Sequence, residues 1–132
     1  MSLWEEGLLR QAAARQWSAE QKLVPGSPEG KMNSTIDYIH SHLDQDLSLS
    51  KLASIAKISL YHFARQFKQT VGAPPHQYVI QCRIERAKQL LTNKDLSITE
   101  ITQKVGFQSQ SHFTSLFRHS VGLTPSAYRN QL

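Results

Sequence analysis

The stretch from Leu47 to Tyr78 returns at Leu96 to Tyr128. Leu47-Ser48 and Leu96-Ser97 open the two copies. Phe63/Phe113, Phe67/Phe117, Val71/Val121, Gly72/Gly122, Pro75/Pro125 and Tyr78/Tyr128 then coincide. The offset is 49 residues at the start and 50 from the phenylalanines on, so one extra residue lies between Phe107 and Phe113. A period of this length usually means a solenoid, but two copies are too few to stack. Each copy reads as a short helix, a tight turn and a second helix, which is the helix-turn-helix layout. The repeat therefore predicts an all-α chain with two such units.

Local signals set the elements. Ser48 is the expected N-cap of the first helix, with Leu49, Leu52, Ala53 and Ala56 facing inward. The chain turns near Lys57-Ile58-Ser59. Ser59 caps the next helix, which carries Phe63, Phe67 and Val71 at helical spacing. Gly72 supplies a left-handed stop. Pro74-Pro75 open a helix to about Leu91, since proline fits the first helical turn. Its buried stripe is Ile80, Ile84, Ala87 and Leu91, with Arg83, Glu85, Arg86 and Lys88 outside. At roughly 25 Å it is the rod between the copies.

In the second copy Ser97 and Glu100 form a capping box, each bonding the other's backbone N–H. Ile98, Ile101 and Val105 face inward, and Gly106 makes the turn. Phe113, Leu116, Phe117 and Val121 follow, and Gly122 stops the helix. Thr124-Pro125 start a last short helix, with Tyr128 packing back. Upstream, Asn33 or Ser34 caps a helix carrying Ile36, Ile39 and Leu43. Residues 24–30, VPGSPEG, read as a linker, and 3–22 as a helix of good helix formers. The expected division is 1–32, a helix and linker ending an upstream region, and 33–132, the folded domain.

The 132 residues carry a formal net charge of +5. Residues 1–32 hold four Lys/Arg and four Glu, so the whole excess lies in 33–132. A basic domain favours a polyanionic partner. The single cysteine, Cys82, permits no internal disulfide and fits a reducing, cytoplasmic setting. No apolar run approaches the ~20 residues of a membrane span.

In a helix-turn-helix the N-terminal part of the second helix meets base edges in the major groove. Opposite Phe63, Phe67 and Val71, the first copy shows Leu60, Tyr61, His62, Ala64, Arg65 and Lys68. The second shows Gln108, Gln110, Ser111, His112, Ser115, Arg118 and His119. Arg65 suits guanine and Gln110 adenine. A solvated helix face would also be polar; on one helix alone that reading is preferred, and repetition in a basic chain reverses the preference. Helix starts attract phosphate, so Ser48, Ser59, Ser97 and Ser109, with Lys68 and Arg118, are candidate phosphate contacts. Capping alone would also explain the serines.

Nothing points to catalysis or a cofactor. The histidines His40, His42, His62, His76, His112 and His119 form no metal-binding spacing, and there is no cysteine cluster. Cys82 has no nearby histidine to activate it.

From about Asn33 to Arg129 the chain resembles the DNA-binding domain of the AraC/XylS family of bacterial transcription regulators. Leu52-Ala53, Ser59, Phe63, Arg65-Gln66-Phe67-Lys68, Gly72, Pro75, Tyr78, Arg83-Ile84, Ala87 and Leu90-Leu91 carry the resemblance in the first half. Ile98, Ile101, Val105-Gly106-Phe107, Ser111-His112-Phe113, Phe117-Arg118, Gly122-Leu123-Thr124-Pro125 and Tyr128-Arg129 carry it in the second. The resemblance implies about seven helices, two helix-turn-helix subdomains joined by a long helix, and two recognition helices in successive major grooves. It implies sequence-specific binding of promoter or operator DNA, and transcription activation, often through contact with RNA polymerase. It also implies an effector or dimerisation domain elsewhere. By position it makes Tyr61, Ala64 and Arg65 base-facing in the first copy, and Gln110, Ser111, His112 and Ser115 in the second. The chain departs from the family pattern at Lys57, often glycine, at Thr102, usually alanine, and at Ser115, often basic; Ala64 is too short to hydrogen-bond. The rival readings are a protein-interaction module and a targeting domain of an enzyme.

Overall fold

The computed structural model describes residues 28–132. The expected helix over 3–22 and the first part of the linker lie outside them. Seven helices follow: α1 (Pro28–Ser41), α2 (Leu49–Ala56), α3 (Leu60–Val71), α4 (Pro75–Leu91), α5 (Ile98–Lys104), α6 (Gln110–Val121) and α7 (Pro125–Asn130). Among the described residues there is no strand, and no helix is long and apolar enough to cross a membrane.

The helices fall into two units. Unit 1 is the described chain up to His42 with Leu47–Val79; unit 2 is Leu43–Asp46 with Ile80–Leu132. The long helix α4 thus gives its first residues to one unit and the rest to the other.

In unit 1, α1 packs on α2 and α3, and α2 packs on α3. Met32, Ile36 and Ile39 of α1 are buried, as are Leu52, Ala53, Ala56, Phe63, Phe67, Val71 and Tyr78. Phe67 is central, with its ring centroid 5.6 Å from Phe63 and 5.3 Å from Tyr78. These are favoured aromatic separations. The His40 ring nitrogen Nε2 lies 2.7 Å from the Tyr78 hydroxyl.

In unit 2 the same aromatics recur. Phe117 lies 5.7 Å from Phe113 and 5.5 Å from Tyr128. Ile84, Ala87, Leu91, Ile101, Val105 and Phe107 close the core around them. Thr102 is buried where the first copy has Ala53. Its hydroxyl donates to the Ile98 carbonyl at 2.8 Å, which satisfies the polar group within its own helix.

The serine caps of the two repeats form. The Ser48, Ser59, Ser97 and Ser109 hydroxyl oxygens accept from the backbone N–H three residues on, at 3.0–3.3 Å. Gly72 and Gly122 stop α3 and α6 in the left-handed region, each at φ 91°. The extra residue of the second copy is Gln108, between the turn and Ser109.

Some expectations are corrected. Helix α1 begins at Pro28, so Asn33 and Ser34 lie inside it rather than capping it, and Pro28–Gly30 are helix rather than linker. A proline tolerates the first helical position because its missing N–H has no partner there. Leu49 is 41% exposed rather than inward, because it opens α2 at the edge of the core. Only the forward half of the Ser97–Glu100 box forms; the exposed Glu100 carboxylate keeps its hydration instead. Arg83, read as solvent-facing, is half-buried. Its Nε donates to the Leu43 carbonyl at 3.1 Å and its Nη2 to that of Gln45 at 3.0 Å. Arg129 repeats the device on the Leu91 and Asn93 carbonyls, at 3.2 Å each.

The two turns differ. Lys57 and Gly106 hold matching positions, and Lys57 is the one non-glycine residue of the described chain at positive φ, 60°. A residue with a β-carbon pays about 1–2 kcal/mol there, while glycine's freer unfolded chain returns about 0.4–1 kcal/mol. Lys57→Gly is therefore expected to raise stability by about 0.5–1 kcal/mol. A lowered urea midpoint for this variant would contradict the expectation.

Candidate nucleic-acid interface

The second helix of each unit buries one face and leaves the other in water. On α3, Phe63, Phe67 and Val71 are buried, while Tyr61, His62, Arg65 and Lys68 are exposed and Ala64 is half-buried. Tyr61, Ala64, Arg65 and Lys68 follow at i, i+3, i+4 and i+7, so they form one stripe along the helix. On α6 the matching stripe is Ser111, Thr114, Ser115 and Arg118. Ser111, Ser115 and Arg118 are exposed, as are Gln110 and His112. An open groove runs along α6, lined by Gln110, Ser111, Thr114, Ser115, Arg118, His119 and Thr124. Of the base-facing expectations, Tyr61, Ala64 and Arg65 share the α3 stripe and Gln110, Ser111 and Ser115 line the α6 groove; His112 is exposed but lies outside that groove, its ring edge-on to Phe107 at 5.8 Å.

The four N-cap serines stand exposed, and their oxygens already accept a backbone N–H. What Ser97 and Ser109 offer a phosphate is the hydroxyl proton, and every one of these helix starts offers the N–H groups of its first turn. Ser59 has less to spare, because its hydroxyl also pairs with the His62 ring nitrogen Nδ1 at 2.9 Å. Lys68 and Arg118 sit about two and a half turns beyond the N-cap serines, toward the C-terminal ends of α3 and α6.

Two residues of the patch were not singled out from sequence. Thr99, on α5, donates its hydroxyl to the Gln110 side-chain oxygen at 2.8 Å. That bond holds the Gln110 amide in place and leaves its NH2 group free to donate. Thr114 completes the α6 stripe; its place three residues after Ser111 was the available signal.

Behind the α6 turn, Gly106 sits against the Leu43 carbonyl and Arg83. The Arg83 guanidinium lies 5.9 Å from the centroid of the Phe107 ring. Burial pushes its pKa below the ordinary arginine value, and the Asp46 carboxylate opposes that shift. It stays cationic regardless. These contacts fix the turn, and through it the angle at which α6 leaves α5. Among the described residues no group of His, Cys, Asp and Glu could hold a metal ion.

Residues 52–131 match the family model described as a helix-turn-helix domain. The chain belongs to the AraC/XylS family. It is 37% identical over 99 residues to the HTH-type transcriptional regulator YobQ of Bacillus subtilis, covering 75% of this chain and 41% of that protein. The DNA-binding domain of AdpA, a global transcriptional factor solved in complex with a target DNA, matches at TM-score 0.74 and 30% identity. That match covers 76% of this chain and 90% of the AdpA chain. An AraC-type DNA-binding domain-containing regulator from Chromobacterium violaceum matches at TM-score 0.70 and 32% identity, over 76% of this chain and 90% of that one. The AraC/XylS assignment accounts for the paired units and for the shared caps, stops and aromatic triplets.

Proposed function

We propose that this chain binds double-stranded DNA with sequence specificity, as the DNA-reading part of a bacterial transcription regulator. Helices α3 and α6 read successive major-groove turns. The observation that carries this is the duplication of one exposed, basic-ended helix face on two helix-turn-helix units. Family membership and the likeness to the DNA-bound AdpA domain support it. In this reading Tyr61, Ala64, Arg65, Gln110, Ser111, His112 and Ser115 face bases. Ser48, Ser59, Lys68, Ser97, Ser109 and Arg118 meet phosphates.

The chain spans 41% of YobQ, and the rest of the regulator is proposed to hold an effector-binding or dimerisation domain outside 33–132. Activation through contact with RNA polymerase, in the cytoplasm, completes the proposal. It assigns this chain no catalytic step and no cofactor.

Footprinting on DNA from the protein's own promoter region, at two salt concentrations, tests the reading. Two protected patches about one helical turn apart, ~10 bp, with affinity falling steeply in salt, are expected. No preference over random DNA at either salt would favour the protein-interaction reading. Arg65→Ala is expected to weaken binding to the protected site about 10- to 100-fold. Its binding to random DNA should change far less. An unchanged specific affinity would remove Arg65 from the reading face.

A further inference from the structure

The two units differ where their paired helices begin. Thr99 is the second residue of α5 and Gln110 the first of α6. The Thr99 hydroxyl donates to the Gln110 side-chain oxygen at 2.8 Å, and both side chains are exposed. By the repeat offsets of 49 and 50, the same places in unit 1 are Ser50 and Leu60. Leu60 is 47% exposed and has no polar group to be held. This bond therefore belongs to unit 2 alone.

Stability gives little reason for it. Water would satisfy both groups, and a neutral surface hydrogen bond nets little against the rotamer freedom that a glutamine gives up. Its effect falls on the amide. A glutamine free to turn suits adenine, because it presents its oxygen and its nitrogen side by side. Here the oxygen is held toward α5 and one of its lone pairs is taken. Donation to that oxygen also polarises the amide, which strengthens its N–H groups as donors. The NH2 group keeps two protons to give. Guanine presents two acceptors in the major groove, N7 and O6, whereas adenine sets a donor, N6–H2, beside N7. Gln110 lines the open groove of α6 and lies in its first turn, the part of such a helix that meets base edges.

We propose that Thr99 sets the base preference of Gln110. By holding the amide oxygen, Thr99 turns a residue suited to adenine into a donor that selects guanine over adenine at its contact. Thr99 acts through Gln110 and is a positioning residue. The proposal rests on the DNA-binding reading above and names the base that this part of unit 2 accepts.

The test uses the footprinted site, with each base pair of the protected patches exchanged in turn between G·C and A·T. The pair whose exchange matters to the unaltered chain and not to Gln110→Ala is the Gln110 contact. There the unaltered chain should bind the guanine form about fivefold more tightly than the adenine form, the equivalent of one hydrogen bond. Thr99→Val keeps the side-chain shape and loses the hydroxyl, so the preference should disappear. Thr99→Ser keeps a hydroxyl and should keep the preference. Unchanged binding of random DNA by both variants controls for folding. Equal or tighter binding of the adenine form by the unaltered chain overturns the proposal. So does a guanine preference that Thr99→Val retains, or a Gln110→Ala variant that matches the unaltered chain at every position. Absence of any protected patch overturns it together with the DNA-binding reading.

Discussion

Gly106→Ala is expected to destabilise unit 2 by about 4 kcal/mol or more, at the upper end of single-substitution effects. Two penalties add. The backbone at φ 88° disfavours any β-carbon. A β-carbon there would also collide with the Leu43 carbonyl oxygen and sit 3.0 Å from Arg83 Nε. Relieving the collision means moving backbone that Arg83 holds through two hydrogen bonds. Gly122→Ala separates the two penalties. Its φ is also positive, 91°, but nothing lies within 4 Å of the added carbon. It should cost about 1–2 kcal/mol. Urea titrations of the two variants compare them directly. Equal losses would mean that the contact at Gly106 contributes nothing.

Phe67→Ala should cost about 3–5 kcal/mol, the usual range for emptying a fully buried phenylalanine site. Phe67 is completely buried, tilted against Phe63 and edge-on to Tyr78, so its loss removes two ring contacts from the core. Total stabilities of domains run at about 5–15 kcal/mol, so this is a large share. Residue-resolved hydrogen exchange is the informative measurement. Amides of α2 and α3 should lose protection while those of α5 and α6 keep theirs. Equal loss across both would show that the two units open together.

Much of the interface could be read from the chain because its determinants are local. A serine N-cap, a left-handed glycine stop and a phenylalanine every fourth residue all act within one or two helical turns. The repeat then showed which helix was second in each unit, and so which face stayed in water. Leu49 was misread for a related reason: helical spacing gives its direction, but not that the core ends before reaching it. The start of α1 was misread because proline and glycine in residues 24–30 look alike in a linker and in a helix's first turn.

By itself, the sequence determined the all-α class, the two helix-turn-helix units, the long helix Pro75–Leu91 and the residues on each outward face. Each follows from interactions between neighbours along the chain. Tertiary structure alone decided which side chains hold the turns and orient the readers. Arg83 finds its carbonyls 38 and 40 residues away, and Thr99 reaches Gln110 across the turn between two helices. Gly106 owes its second constraint to Leu43, far upstream in sequence. No periodicity encodes such pairs, because a contact between distant residues exists only once both helices have packed.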